Sequence, residues 1–172
     1  MTEVLRKEEA KRMPFYYEYE NGDYKYEDKE WIEHLIRNWK EIAKGLTVRS
    51  FDNGDYAYKD KNRVWHLIRG WKEIASGSDI FSYENGDYKY QDKNWTWYLI
   101  RDWQGIAAGI QVYSYDNSDY KYMDENRIWH LVRDGKEIIN GLNVYSFNNG
   151  DYEYQDGEWK WHRFDKNWNP IG

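Results

Sequence analysis

The 172-residue sequence contains no cysteine and only two prolines. Without cysteine, the chain has neither a disulfide framework nor thiolate chemistry. No apolar run approaches the roughly 20 residues that a membrane-spanning helix needs. Residues 1–14 also lack the apolar segment of a secretory signal. These absences predict a cytoplasmic protein that makes no membrane contact.

An excess of basic residues is also missing. The formal net charge is −6 and the isoelectric point is near 5.3. Direct binding of nucleic acid requires clustered lysine and arginine against the phosphates, so the composition argues against it. An acidic surface instead favours a protein partner whose own surface is basic.

A strict 32-residue repeat dominates what is present. The motif Asn-Gly-Asp-Tyr or its variant Asn-Ser-Asp-Tyr begins at positions 21, 53, 85, 117 and 149. The period predicts an N-terminal cap in 1–14, with a helix over residues 2–12, a five-repeat domain in 15–164 and a C-terminal cap in 165–172. The repeats span 15–46, 47–78, 79–110, 111–142 and 143–164.

The first half of each repeat is typical of a β-hairpin. Asn53-Gly54, flanked by alternating aromatics, predicts a two-residue type I′ turn with Phe51 opposite Tyr56. A second turn at Lys61-Asn62 would place Trp65 opposite Tyr58. This pairing would collect the aromatic side chains of the first three strands on one face.

The second half of each repeat fits two structures. In the second repeat, apolar residues between Val64 and Ala75 have helical spacing, which would give ββα units. The alternation Trp159-Lys160-Trp161 has the period of a strand. We favour a third strand over 63–69, followed by a short helical turn at Trp71–Ser76. The predicted fold is therefore mainly β: five three-stranded antiparallel meanders with short helical turns, in an open curved array. A closed five-bladed ring is the alternative arrangement.

The repeat resembles the WG-type (Trp-Gly) β-hairpin repeats of bacterial proteins. The segment from Asn53 to Asn62 aligns with the first part of that motif, and Lys40–Leu46 aligns with its later part. The Trp-Gly pair itself is replaced by Tyr-Lys or Tyr-Ala. The resemblance covers about residues 16–164 and implies β-hairpin repeats without a settled activity.

Three sets of residues are candidates for binding. Each recurs at the repeat period, and tyrosine, tryptophan and arginine are common at protein interfaces. The candidates are Tyr24, Tyr56, Tyr88, Tyr120, Tyr152, Arg37, Arg69, Arg101, Arg133, Trp71 and Trp103. Most of the rings must also form the core. We expect the arginines to stack on an indole or to pair with a turn aspartate of a neighbouring repeat.

Other polar columns favour structural roles. One histidine or tyrosine per repeat, at positions 34, 66, 98, 130 and 162, does not converge on one point as a metal or catalytic site requires. Asp52 and Asp55 flank the turn, where local hydrogen bonds explain aspartate better than calcium does. No nucleophile–base pair, phosphate loop or metal motif occurs. We predict a non-enzyme without cofactor or metal.

The sequence therefore predicts an intracellular repeat protein that binds a protein partner through an acidic, aromatic-rich surface. One form of this hypothesis is an inhibitor that occupies the basic groove of a nucleic-acid-handling enzyme. A multivalent carbohydrate-binding lectin is the alternative, because equivalent aromatic grooves would give avidity. A purely structural repeat array is the third hypothesis.

Overall fold

The computed structural model describes residues 6–171 and confirms a mainly β protein with one antiparallel sheet per repeat. Residues 1–5, which include part of the predicted N-terminal helix, lie outside the described residues. The described chain contains one short α-helix, α1, Lys7–Ala10. None of the helices within residues 6–171 is long and apolar enough to cross a membrane. The chain divides after Asp79 into two compact units, which are described separately.

The first unit contains two four-stranded meanders, in which each strand pairs with the strand that follows it. The first sheet consists of β1 Tyr16–Glu18, β2 Tyr24–Glu27, β3 Glu33–Arg37 and β4 Lys40–Gly45. The second sheet consists of β5 Thr47–Ser50, β6 Tyr56–Lys59, β7 Trp65–Arg69 and β8 Lys72–Gly77.

The second unit repeats the same topology, and its last sheet has three strands. The third sheet consists of β9 Asp79–Ser82, β10 Tyr88–Gln91, β11 Trp97–Arg101 and β12 Gln104–Gly109. The boundary between the units follows Asp79, the first residue of β9. The fourth sheet consists of β13 Gln111–Ser114, β14 Tyr120–Met123, β15 Trp129–Arg133 and β16 Lys136–Gly141. The fifth consists of β17 Asn143–Ser146, β18 Tyr152–Gln155 and β19 Trp161–Phe164.

The predicted helical turn is wrong, because a fourth strand takes its place in the first four sheets. In the second sheet, Arg69 pairs directly with Lys72 across a two-residue turn. A β-bulge then shifts the register between Leu67 and Ile68. A bulge inserts one extra residue, so two successive residues lose the strict alternation of a strand. The apolar pair Ile74-Ala75 therefore looks helical in the sequence although it lies in a strand.

The predicted register of the hairpins is also wrong, by one residue. The Phe51 N–H donates to the Asp55 carbonyl at 2.9 Å, and the Gly54 N–H donates to the Phe51 carbonyl at 2.9 Å. Gly54 has a φ of 85°. The loop is thus a three-residue turn that ends in a left-handed residue, rather than a two-residue type I′ turn.

The shift moves side chains between the two faces of the sheet, since side chains alternate along a strand. Tyr56 lies opposite Ser50 instead of Phe51. The turn between β6 and β7 ends in the same way, at Arg63 with φ 65°. Tyr58 therefore lies opposite His66 instead of Trp65. The predicted single aromatic face is replaced by a face that mixes tyrosine with aliphatic and polar residues.

Small cores form between consecutive sheets within each unit. In the first unit, Leu35 and Ala43 of one sheet pack with Val48, Tyr56 and Ile68 of the next. In the second unit, Leu99 packs with Val112, Tyr120 and Val132, and Trp129 and Leu131 pack with Val144 and Tyr152. Ala10 of α1 packs against Tyr24, Tyr26 and Ile36 of the first sheet.

Candidate functional site

The arginine column forms buried ion pairs inside the molecule. Arg37 Nε and Nη2 donate to the two carboxylate oxygens of Asp23 at 2.9 and 2.6 Å. Hydrogen bonding to Asp23 raises the pKa of Arg37 above its ordinary value. The equivalent pairs are Arg69–Asp55, Arg101–Asp87 and Arg133–Asp119. Each partner belongs to the arginine's own repeat, so the predicted pairing with a neighbouring repeat's aspartate is wrong.

Within each unit, arginines of this column also connect consecutive sheets, namely Arg37, Arg101 and Arg133. Arg37 Nη1 donates to the Gly54 carbonyl of the next turn at 2.7 Å. Its guanidinium lies 5.9 Å from the centre of the Tyr56 ring, so it stacks on a phenol rather than on the predicted indole. Asp23 also accepts a hydrogen bond from Ser50 of the next sheet. These contacts commit the guanidinium groups to holding the repeats together.

The tyrosine column is buried, which corrects its prediction as a binding surface. Tyr24, Tyr56, Tyr88, Tyr120 and Tyr152 are at most 9% exposed. The one-residue shift in register explains the difference. Tyr24 packs with Ala10 of α1, and Tyr56, Tyr120 and Tyr152 pack against the preceding sheet of their own unit. They are core residues and cannot contact a partner without unfolding.

The histidine column packs against a second column of tyrosines. His66 stacks on Tyr58 with ring centres 4.8 Å apart. Its Nδ1 lies 2.8 Å from a Glu73 carboxylate oxygen, and its Nε2 lies 3.6 Å from one of Asp60. In the third repeat, Tyr98 stacks on Tyr90 in the same way. Each ring has its own partners, so the column does not converge on one site.

Indoles stand exposed at the two-residue turns between the third and fourth strands. Asn38 and Trp39 both have positive φ, 48° and 64°. Positive φ at both central residues is the signature of a type I′ turn, which favours Asn-Gly. Trp71 and Trp103 occupy the same left-handed position in the next two repeats. All three indoles are at least half exposed. In the fourth repeat the position is occupied by Gly135.

Further indoles lie at the opposite end of the sheets, at the turns between the second and third strands. Trp31 closes such a turn with a φ of 62° and is 75% exposed. Trp95 and Trp159 are equally exposed in the third and fifth repeats, and Arg63 and Arg127 occupy the position in the other two. Trp168 ends a sixth copy of this turn in the tail. We did not predict Trp31, Trp39, Trp95 or Trp159 as site residues.

Aspartate at the start of each of these turns fixes the backbone. Asp60 Oδ1 accepts the N–H groups of Asn62 and Val64 at 2.8 and 2.9 Å. The hydrogen bond from Val64 contributes most to holding the pKa of Asp60 below its ordinary value. The turn therefore keeps its left-handed residue in place through side-chain hydrogen bonds, whichever residue occupies that position.

A left-handed backbone is costly for a bulky side chain, by about 1–3 kcal/mol per residue. Glycine avoids this cost, and Gly135 shows that the chain uses glycine at one copy. Trp39 is 67% exposed and makes no ring contact with another described aromatic residue, so ring stacking does not offset its strain. Trp71 has one edge contact, with Tyr56 at 6.4 Å. The sequence does contain a signal for these exposed indoles, because Trp39, Trp71 and Trp103 occupy a repeat position at which the fourth repeat has Gly135.

The end of each sheet that carries Trp39, Trp71 or Trp103 also carries exposed carboxylates, and the exposed Lys40 and Lys72 follow the first two indoles. In a meander, the first and third turns lie at the same end. The first turns carry an exposed carboxylate in four repeats, from Glu20, Asp52, Glu84 and Asp116. The buried aspartates beside them are neutralised by the arginines. We call this end the acidic end of a sheet; it presents indoles and carboxylates together.

No protein-family model matches the chain, and no curated protein matches it either, so the resemblance to WG-type repeats stays a prediction. The chain is similar to the C-terminal WD40 domain of Sif2, with 7% identity and a TM-score of 0.39, over 91% of this chain and 56% of that one. It is also similar to the WD40 beta propeller domain of Doa1, with 10% identity and a TM-score of 0.32, over 87% of this chain and 64% of that one. A third similar structure is BBS1N in complex with ARL6DN, with 5% identity and a TM-score of 0.32, over 87% of this chain and 60% of that one. The chain spans less than two thirds of each of these structures, and likeness at these TM-scores carries no inference about function.

Proposed function

We propose that the protein is a non-enzymatic binding protein that engages a protein partner through the acidic ends of its sheets. The observation that carries the proposal is the exposure of Trp39, Trp71 and Trp103 at left-handed turn positions. Residues held in strained backbone conformations are typical of functional surfaces. Tryptophan is also one of the residue types enriched among the residues that dominate binding energy.

The neighbouring charges indicate the chemistry of the partner. Exposed carboxylates such as Asp52 and Asp102 lie at the same end as the indoles. A lysine or arginine side chain can stack on an indole face and pair with a carboxylate beside it. A basic, arginine-rich segment of a protein therefore fits this surface best, in agreement with the net charge of −6. An enzyme whose groove binds nucleic acid is one such partner, which the protein would inhibit by occupying the groove.

A titration with synthetic peptides tests this function. We expect a 12-residue arginine-rich peptide to quench the exposed indole fluorescence saturably, and an equally long glutamate-rich peptide to leave it unchanged. The interaction should weaken as the salt concentration rises from about 50 to about 500 mM, because salt screens surface charges. At the upper concentration the Debye length falls to a few ångströms. Equal quenching by both peptides would contradict the proposed partner chemistry.

A carbohydrate-binding role is the second candidate, since exposed indole faces also suit the apolar faces of sugar rings. A glycan array distinguishes the two functions. The protein-binding proposal predicts no saturable glycan signal. Glycan binding that is lost in Trp39→Gly, together with an inert arginine-rich peptide, would favour the lectin.

A further inference from the structure

Four of the five first turns contain an asparagine that is followed directly by glycine. These asparagines are Asn21, Asn53, Asn85 and Asn149, whereas the fourth repeat has Asn117 before a serine. Glycine has no side chain, so its backbone nitrogen can approach the side-chain amide carbon of the preceding asparagine with little hindrance. Attack by this nitrogen is the first step of deamidation. The contacts of each side-chain amide therefore decide which copy of the turn can react.

In the first and third repeats, the next sheet of the same unit holds the asparagine side chain. Asn21 Nδ2 donates to the Ser50 hydroxyl oxygen at 2.8 Å and to the Phe51 carbonyl at 3.1 Å. Asn85 Nδ2 makes the equivalent two bonds at 2.7 and 2.9 Å, of which the first is to Ser114. Neither side chain can turn toward the glycine nitrogen until both bonds open. The following sheet thus protects the asparagine of the turn before it.

Asn149 does not have these two bonds. Within residues 6–171 no sheet follows the fifth one, and the Asn149 side chain is exposed. In this part of the chain, its Nδ2 donates to Asp151 alone, at 2.8 Å. Its Oδ1 accepts the Asp151 N–H at 3.0 Å, as the equivalent oxygen does in the other turns. Asn149 therefore keeps the contacts inside its own turn and lacks those to a following sheet.

The backbone of the last turn is held as it is in the other copies. The Gly150 N–H donates to the Phe147 carbonyl at 2.8 Å, and the Gly22 N–H makes the same turn bond at 3.0 Å. The Gly150 carbonyl also accepts a hydrogen bond from Arg133 at 2.8 Å. Asn149 and the protected copies thus differ in the contacts of the side-chain amide, rather than in the hydrogen bond that closes the turn.

One further asparagine precedes glycine, at Asn140-Gly141 in β16. The β-ladder pairs Gly141 with Trp129. Asn140 Nδ2 donates to a Glu137 carboxylate oxygen at 2.8 Å. This paired strand must open before the glycine nitrogen can reach the side chain. Asn140 is therefore a second kind of protected site, which reports on the folding of its own sheet.

We propose that Asn149 is a site of spontaneous deamidation, from which the fold protects Asn21 and Asn85. The Gly150 backbone nitrogen attacks Cγ of Asn149 and closes a succinimide ring, while the bond from Cγ to Nδ2 breaks. Nδ2 leaves as ammonia and takes up the hydrogen of the Gly150 N–H. Water then adds to either carbonyl carbon of the ring and opens it, which leaves aspartate or isoaspartate at position 149. Water is the only other reactant.

The product places a second negative charge beside a weakly paired carboxylate. Asp151 loses the hydrogen bond from the Asn149 amide, and among the described residues its ion-pair partner is Arg163, 3.8 Å away. In the other four repeats, the equivalent aspartate is bound at shorter distance by the arginine column. Repulsion between adjacent carboxylates therefore loosens the last turn, and isoaspartate also lengthens its backbone. This modification is independent of the proposed partner binding.

Mass spectrometry of the full native chain, incubated in heavy-oxygen water at mildly alkaline pH, tests the site. Incorporation of heavy oxygen marks each asparagine that reacts during the incubation. We expect Asn149 to deamidate at least about tenfold faster than Asn21 and Asn85, because a factor of ten corresponds to about 1.4 kcal/mol, the order of two net hydrogen bonds. In urea the three sites, each followed by Gly-Asp-Tyr, should react at similar rates. Equal rates in the folded chain, or no reaction at Asn149, would overturn the proposal.

Two matched variants test the cause of the protection. Ser114→Ala removes the hydroxyl that holds Asn85 and should raise the deamidation rate there about threefold or more, the effect of one net hydrogen bond. Ser146→Ala makes the same change beside Asn117, which precedes serine, so that site should stay slow. Asn140 is the internal control, since unfolding would raise its rate as well, and the native chain then carries the test. An unchanged rate at Asn85 in Ser114→Ala, with Asn140 unreactive, would contradict protection by the following sheet.

Discussion

Removal of an exposed turn tryptophan should change the stability of the fold much less than removal of a buried aromatic ring. Trp39→Gly relieves a left-handed backbone and removes no aromatic contact, so we expect the free energy of unfolding to change by less than about 1 kcal/mol. Tyr88→Ala removes a fully buried ring and should cost about 3–5 kcal/mol, as large-to-small core substitutions do. Chemical denaturation of both variants measures the difference. A loss of more than 2 kcal/mol in Trp39→Gly, a threshold at the scale of typical destabilising mutations, would show that this indole is structural.

The arginine–aspartate pairs should contribute strongly to stability. Asp87→Asn leaves Arg101 half-buried without its counter-charge, and we expect a loss of about 2–3 kcal/mol in the free energy of unfolding. Asp151→Asn is the matched control, because Arg163 lies 3.8 Å from Asp151 and is more exposed. That variant should lose less than about 1 kcal/mol. Similar losses in both variants, measured by urea denaturation, would contradict the role assigned to the buried column.

Lys121 gives the stability a defined pH dependence. Its pKa in the folded protein is lowered to about 8 from the ordinary value of 10.5. Between these values the unfolded chain retains the proton that the folded chain has lost, so this group makes stability rise with pH from about 8 to 10.5. Lys121→Met removes the titrating group. We expect the unfolding free energy of the native chain to rise relative to that of the variant across that range, and a constant difference would argue against a buried ammonium.

At the scale of secondary structure, the glycine column marks close contacts between consecutive sheets. A Cβ at Gly109 would collide with the Met123 carbonyl oxygen, whereas one at Gly105 meets nothing within 4 Å. Both glycines belong to β12 and neither has a positive φ. Gly109→Ala should therefore destabilise the fold by about 1–3 kcal/mol, and Gly105→Ala should change stability by less than about 0.5 kcal/mol. Thermal unfolding of the two variants compares them directly.

The sequence was sufficient for the β class and for five antiparallel sheets in tandem, because the 32-residue period and the turn motifs are local signals. Strand register was not predictable from the Asn-Gly motif alone. The same residues suit a two-residue turn and the observed three-residue turn, which ends at Gly54 with φ 85°. One residue of difference decides that Tyr56 is core and that Ser50 faces it. The fourth strand was missed because its bulge gives neighbouring apolar residues, as in Ile74-Ala75.

The candidate site was predicted only in part for a related reason. Trp71 and Trp103 were identified from composition, and the structure exposes both. Trp39 belongs to the same column, precedes the same Lys-Glu-Ile sequence as Trp71, and was not among the candidates. The ion pairs of the arginine column required knowledge of which side chains face each other, and that depends on the register. Exposure is a property of the folded sheet and cannot be read from residue type.

At the scale of the whole molecule, several buried columns agree among the five repeats, whereas the last residue of the exposed turns differs. The buried tyrosine, arginine and aspartate columns are almost invariant among the repeats. The tips of the turns vary, with Gly135 in place of tryptophan and with Arg63 and Arg127 in place of the indole at the other end. A surface whose repeats differ can discriminate among partners, whereas identical packing columns serve the fold. This contrast supports the assignment of binding to the turns and of stability to the columns.

The affinity of the arginine-rich peptide for turn variants tests the central claim most directly. Isothermal titration calorimetry should show that the dissociation constant is at least tenfold higher for the double variant Trp39→Gly, Trp71→Gly. The reason is that each indole of this kind contributes about 2 kcal/mol or more to binding. Gly135→Trp, which adds an indole at the equivalent turn of the fourth repeat, should tighten binding. Both variants should keep the native unfolding midpoint within a few degrees. Unchanged peptide affinity in the double variant, with its fold intact, would contradict binding through the acidic ends of the sheets.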